Sequence, residues 1–317
     1  MTGEQVDLLT PEQVDLSVTF AGVPLRNPVL AASGTFGYGL ELEPFFDLRR
    51  LGGFVAKSLT LEPRHGNPPP RIAEVAAGLL NSISLENVGV EAFVREKLPR
   101  LPEGVPVFAS VFGTEIDLYA EVCKRLSGVP KVAALEINAS CPHVKSGGIE
   151  FGQDPAVLAS LVRATRRASS LPLVVKLSPN VTHIAEMARV CEGEGADGIA
   201  LINAVQAFDV DPETRRPVLW NGLGGLSGPA ILPIALRMVW QCAQAVKLPV
   251  CGIGGIGSAA DAVKFLLVGA SAVQVGTANY LNPLATVEVV EGLAAYCARH
   301  GVARAASLQG ALELPRR

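Results

Sequence analysis

Short apolar, β-branched runs recur along the chain, each followed by a longer stretch whose apolar residues fall at helical spacing. Eight such runs stand out: PVLAAS (28–33), GFVAKS (53–58), PVFASV (106–111), VAALEIN (132–138), LVVKLS (173–178), GIALIN (198–203), LPVCGIG (248–254) and SAVQVGT (271–277). Near-continuous apolar strands alternating with helices describe a parallel sheet covered on both faces. Eight of them predict a closed (β/α)8 barrel of the TIM type, an α/β fold. Ahead of the barrel, residues 14–28 read as an antiparallel pair, VDLSVTF and VPLRNP, turning at Ala21-Gly22. This N-terminal β-hairpin is placed to plug the barrel bottom. No linker or shift in pattern divides the chain, so residues 1–317 are read as a single domain. Two connections, 58–90 and 203–228, are too long for plain turns. Long loops in compact domains are usually lids or binding loops. Both leave C-terminal strand ends, so both should arch over the C-terminal mouth.

Composition narrows the class. Of 317 residues, 49% are hydrophobic, 18% charged and 5% aromatic, which fits buried aliphatic strands joined by tight turns. The formal net charge of -3 carries no basic footprint of a nucleic-acid binder. No apolar run reaches the roughly 18 residues that span a membrane. The first residues lack the basic-then-apolar layout of a signal peptide, so a cytoplasmic location is expected. Six cysteines (Cys123, Cys141, Cys191, Cys242, Cys251, Cys297) are scattered without a C-x-x-C pair, which points away from a zinc or iron–sulfur site held by this chain. No metal is expected.

In this fold the C-terminal strand ends carry the chemistry. Read in order, they are Ser33, Lys57-Ser58, Ser110, Asn138, Lys176, Asn203, Gly254-Gly255 and Gly276-Thr277. A buried lysine is costly unless paired, so two lysines and two asparagines at strand ends call for a function. The glycine loops after the seventh and eighth strands, GIGGI and GTA, allow backbone N–H groups to approach a phosphate closely. Barrels commonly bind phosphate in these two loops. The segment Asn138-Ala139-Ser140-Cys141-Pro142-His143 follows the fourth strand. Free cysteine titrates near pH ~8.5, so a loop thiol at Cys141 suits a general acid or base. The other five cysteines fall within predicted helices or strands and read as core. His143 and His183 lack a second ligand at metal spacing and read as surface residues.

The chain closely resembles the class I dihydroorotate dehydrogenases, and within them the subclass 1B catalytic subunit. The resemblance covers roughly residues 16–300. Its most specific stretches are NPVLAASGTFGYG (27–39), KSLTLEPRHGNPPPRIAE (57–74), NASCP (138–142), GGIEFGQDP (147–155), VVKLSPNV (174–181) and TRRPVLWNGLGGLSGPAILPIALRMV (214–239). It implies flavin-dependent oxidation of dihydroorotate to orotate in de novo pyrimidine (UMP) biosynthesis. Hydride passes from C6 to the flavin mononucleotide (FMN) while a cysteine, here Cys141, takes the C5 proton. The resemblance further implies that Lys57 bridges substrate and flavin. Asn81, Ser82, Ile83, Ser84, Leu85, Asn138, Asn203 and Ala204 would ring the substrate. Ser33, Lys57, Ser58, Ser110, Asn138, Lys176, Ile202, Gly228, Gly254, Gly255, Gly276 and Thr277 would hold FMN. A fixed cation at Lys176 would stabilise reduced, anionic flavin. NAD⁺ is the implied final acceptor, reached through a second subunit carrying FAD and a 2Fe–2S cluster. The implied assembly is a homodimer of this chain within a heterotetramer.

Four positions depart from the family pattern. Ser110 and His143 stand where Asn is usual, Ala204 where Thr or Ser is usual, and Ser84 where Gly is usual. All but Ser110 fall where substrate is expected, whereas the flavin positions are nearly intact. Losing a hydroxyl at Ala204 removes a hydrogen bond worth about 1 kcal/mol. The altered pocket keeps open an alternative substrate, another dihydropyrimidine such as dihydrouracil, since Cys-Pro-His is similar to the dihydropyrimidine dehydrogenase sequence. A binding barrel that has lost its substrate is a third reading.

Overall fold

In a computed structural model, which describes residues 9–140 and 151–315, the chain opens on the expected hairpin. Strands β1 (Val18–Phe20) and β2 (Val23–Leu25) pair antiparallel. Ala21 and Gly22 turn between them at φ 49 and 77, the positive-φ pair that two-residue hairpins require. Barrel strands β3 (Val29–Ala31) and β4 (Gly53–Val55) follow, then lid strands β5 (Ile72–Val75) and β6 (Gly78–Asn81). Next come β7 (Val107–Val111), β8 (Val132–Asn138), β9 (Leu173–Lys176) and β10 (Gly198–Leu201) of the barrel. A second excursion carries β11 (Val205–Phe208), β12 (Val210–Asp211), β13 (Arg216–Pro217) and β14 (Leu223–Ser227). The last barrel strands are β15 (Val250–Ile253) and β16 (Ala272–Val275).

The order β3-β4-β7-β8-β9-β10-β15-β16 closes on itself, every described pair parallel. All eight expected strands are present in the expected order, most of them a residue or two shorter at the ends. The helices between them are amphipathic for a visible reason. After the single-turn α1 (Val90–Ala92), α2 (Ile116–Leu126) buries Tyr119, Val122, Cys123 and Leu126. Helix α3 (Pro155–Ala168) buries Leu158, Leu161, Val162 and Thr165, and α4 (Ile184–Gly193) buries Ile184, Met187, Ala188 and Cys191. Helix α5 (Leu232–Ala245) buries Ala235, Met238, Val239 and Cys242. Each set follows the i, i+3, i+4, i+7 stripe of a helix lying on a sheet. Cys123, Cys191, Cys242, Cys251 and Cys297 are all buried, as expected of core residues.

Inside the barrel the lower half is lined by apolar side chains. Phe20 of the hairpin stacks on Phe108 at 6.1 Å between ring centroids. With Val23 and Leu25 it packs against Leu30, Val55, Val174, Cys251 and Ala272. Burying a phenylalanine of this kind stabilises by about 1.5–3 kcal/mol. The hairpin thus seals the bottom.

The two long connections do more than arch over the mouth. Together they build one antiparallel sheet, β11-β14-β6-β5. Leu226 pairs with Leu80 and Gly225 with Asn81, which fixes the first connection to the second. Asn87 ties down the end of the first connection. Its Oδ1 accepts from the backbone N–H of Thr60 and of Gly89, and its Nδ2 donates to the carbonyl of Leu85.

Candidate active site

The strand ends and the lid sheet enclose one cavity. Ser33, Lys57, Ser58, Ser110, Asn138, Lys176, Ile202, Asn203 and Ala204 line it from the barrel side. Asn81, Ile83, Ser84 and Leu85 line it from the first connection, and Gly228, Gly254, Gly255, Gly276 and Thr277 close one end. Ser82 does not line it: its backbone N–H donates to the Arg71 carbonyl at 2.9 Å, and its buried hydroxyl has no hydrogen-bond partner. Strand alternation explains this, because neighbours along an extended segment face opposite ways. Cys141 and His143 lie outside the described residues.

The polar groups hold one another in place. Asn203 Nδ2 donates to Asn138 Oδ1 at 3.1 Å. Helix α2 anchors the end of β8, since the Tyr119 hydroxyl donates to the Asn138 carbonyl at 2.6 Å. Asn81 Nδ2 donates to the Gly225 carbonyl across the lid sheet at 3.3 Å. Ser58 and Ser110 share a buried hydrogen bond of 2.8 Å, and Ser33 donates to the Ala56 carbonyl at 2.9 Å. The amide pair, the two lysines and the lid therefore converge from five separate segments.

Two of the departures acquire a structural meaning. Ser84 sits at φ 66, a left-handed conformation in which a glycine is unstrained and a serine is not. At Ala204 the side chain abuts the lid: a Cβ placed on Gly225 would lie 2.6 Å from the Ala204 Cβ.

Lys57 is half-buried at the rim. Burial lowers its pKa from the ordinary lysine value; Glu86 opposes that shift and Arg71 adds to it. Lys176 lies deeper, with its Nζ 3.8 Å from Oε1 of the fully buried Glu136. Gln274 Nε2 donates to the other Glu136 oxygen at 2.7 Å. Glu136 also lines the cavity, and sequence reasoning missed it. The signal was available: Glu136 interrupts an apolar strand two residues before Asn138, and so shares its inward face. Gln274 stands likewise two residues before Gly276.

The glycine end fits a phosphate-bearing cofactor. Thr277 Oγ1 donates to Ser227 Oγ at 2.9 Å, joining the loop after β16 to the end of β14. A Cβ on Gly255 would come within 3.0 Å of the Gly228 carbonyl, so the loop after β15 closes onto the same place. At Gly276 a Cβ would meet nothing nearer than Ala32 Cβ at 3.6 Å. Its missing side chain leaves cavity space rather than relieving a clash. Such a cradle, with donors and, among the described residues, no acidic side chain at its glycine end, suits an anion.

A family model described as dihydroorotate dehydrogenase matches residues 15–296. A protein of Trichlorobacter lovleyi named "Dihydroorotate dehydrogenase B (NAD(+)), catalytic subunit" is 56% identical over 299 residues, 94% of this chain and 98% of that protein. A Geobacter sulfurreducens protein of the same name is 52% identical over 304 residues, 96% of this chain and 100% of that one. Among solved structures, that of DHODH in complex with ferulenol from Eimeria tenella matches with a TM-score of 0.77. It is 22% identical and covers 98% of this chain and 90% of that chain, so it shows the shared fold. The chain belongs to the dihydroorotate dehydrogenase family, among its B-type catalytic subunits.

Proposed function

We propose that this chain oxidises dihydroorotate to orotate, a step of pyrimidine biosynthesis, with FMN held at the barrel mouth. The observation that carries this reading is the convergence of Lys57, Asn81, Asn138 and Asn203 on one cavity whose far end is the glycine cradle. Ser33, Ser58, Ser110, Lys176, Ile202, Gly228, Gly254, Gly255, Gly276 and Thr277 are the proposed cofactor residues. When bound, the flavin supplies the acceptor for the hydride that leaves substrate C6.

The chain's own residues do the rest. Asn81, Asn138 and Asn203 offer amide donors and acceptors that match a planar ring bearing carbonyl and N–H groups. Lys57 offers a cation to the substrate carboxylate, where desolvation at the half-buried rim strengthens the attraction. Ile83, Ser84 and Leu85 close over the ring and exclude water, with Ala204 opposite. Cys141 is the proposed base for the C5 proton; this role rests on the NASCP sequence. Removing that proton while hydride leaves C6 balances the oxidation: two electrons and one proton depart together and the second proton goes to sulfur. Ser82 would support the first connection rather than touch substrate.

Relatives at 50–56% identity carry the dihydroorotate name, so the dihydrouracil alternative is not favoured. Their common description as a catalytic subunit supports a separate electron-transfer subunit. We assign it FAD and a 2Fe–2S cluster, with NAD⁺ as final acceptor and a dimer of this chain at the centre. Among the described residues no helix is long and apolar enough to cross a membrane; a cytoplasmic site of action is part of the same proposal.

The test is steady-state orotate formation from dihydroorotate by the FMN-loaded protein with an artificial acceptor. Turnover should fall by orders of magnitude in Cys141→Ala with flavin content unchanged. A fully loaded wild-type protein that forms no orotate refutes the proposal.

A further inference from the structure

Among the described residues, the barrel interior holds one ionic group that the reaction as proposed does not use. Glu136 is fully buried on β8, between the apolar lower core and the cavity. One carboxylate oxygen is held by Gln274 Nε2 at 2.7 Å. The other faces Lys176 Nζ at 3.8 Å and has no hydrogen-bond partner. No second carboxylate lies within ion-pair reach of Lys176 among the described residues. A buried cation without a counter-charge sheds its proton rather than bear the desolvation cost. Gln274 fixes the carboxylate, and the carboxylate compensates the ammonium without engaging its protons in a hydrogen bond. Those protons remain available to the cavity, which Lys176 lines.

We propose that Glu136, oriented by Gln274, is a positioning residue that keeps Lys176 protonated whether the cofactor is oxidised or reduced. This rests on the flavin reading of the cavity. Lys176 then meets the charge that develops on reduction as a standing cation, and no second proton need be taken up there. Among the described residues, the other groups facing this layer are Ser110 from β7, Asn138 from β8, Cys251 from β15 and, at the rim, Lys57 with Glu86 and Arg71 behind it. Burial, with Glu136 adding to it, holds the Cys251 thiol well above its ordinary range, so it stays protonated. Lys57 titrates and must be controlled for.

The readout is the reduction potential of FMN bound to the chain, as a function of pH. Each proton taken up with two electrons changes the reduction equilibrium tenfold per pH unit, or about 30 mV. With Lys176 already charged, the wild type should take up one proton between about pH 7 and pH 9, a slope of about 30 mV per unit. In Glu136→Gln, Lys176 starts neutral and gains a proton on reduction. The slope should double, to a hundredfold or about 59 mV per unit. Glu136→Asp, which keeps the charge, should restore the single-proton slope. The doubling should persist in a Lys57→Met background.

A two-proton slope in the wild type overturns the proposal without any variant. So does a wild-type slope in flavin-loaded Glu136→Gln, a doubled slope in Glu136→Asp, or a doubling that vanishes with Lys57. A protein that takes up no FMN at all refutes the flavin reading instead, so the two failures are distinguishable.

Discussion

Two alanine substitutions in the glycine cradle should behave oppositely, and the difference follows from what a methyl would meet. At Gly276 the added carbon finds Ala32 Cβ at 3.6 Å and Thr35 Oγ1 at 3.9 Å, both ordinary contacts. The backbone there is not left-handed. Fold stability should therefore hold, or rise by about 0.4–1 kcal/mol through the stiffer unfolded chain. The methyl nonetheless occupies space that an anion needs to reach the Gly276 and Thr277 amides. Losing one charge-assisted hydrogen bond costs about 1.5–3 kcal/mol, so FMN should bind roughly tenfold to 150-fold more weakly. At Gly255 the backbone sits at φ +74, and a methyl would lie 2.7 Å from Leu232 Cβ and 2.9 Å from its backbone nitrogen. Left-handed strain of about 1–2 kcal/mol adds to an overpacking cost of about 1–3 kcal/mol. Gly255→Ala should lower the melting temperature of the flavin-free protein by several degrees, at roughly 2 °C per kcal/mol. The assays are flavin-fluorescence titration of the apoprotein and its thermal unfolding. Gly276→Ala that binds FMN within about twofold of wild type would refute the cradle. So would an apoprotein destabilised as much as Gly255→Ala.

Lys57 gives a pH prediction. Because burial lowers its pKa, it loses its charge at lower pH than an exposed lysine does. Affinity for the anionic substrate should therefore be complete on the acid side and fall as pH rises through that lowered value; a KM for dihydroorotate that stays flat until the ordinary lysine range contradicts this. Ser84→Gly relieves the φ 66 conformation and should stabilise the protein by up to about 1 kcal/mol, read from the denaturation midpoint. Asn87→Leu removes the bonds to Thr60, Leu85 and Gly89. At about 1 kcal/mol each it should cost about 3 kcal/mol and loosen the first connection, visible as faster amide exchange over residues 60–89.

The barrel was legible because each of its strands is a nearly unbroken apolar run, and that pattern needs no partner to be recognised. The strand ends were legible for the converse reason: Lys57, Asn138, Lys176 and Asn203 interrupt those runs where the fold places its mouth. The lid sheet was not. Pairing Leu80 with Leu226 joins segments far apart in sequence, and neither carries a long alternating pattern. The resemblance places Ser82 with its neighbours around the substrate, although an extended segment turns alternate residues away. Glu136 and Gln274 each interrupt an apolar run, but their pairing is not legible in the sequence, because it is the barrel's closure that brings β8 and β16 face to face across the core.

If dihydroorotate gives its electrons to a flavin in this cavity, the transfer is visible without any other acceptor. The most direct measurement mixes FMN-loaded protein with dihydroorotate under anaerobic conditions, with no other acceptor present. The flavin absorbance should bleach, with orotate formed in an amount equal to the flavin reduced, and dihydrouracil should leave it yellow. A bound flavin that dihydroorotate does not bleach, or that dihydrouracil bleaches as readily, would contradict the account.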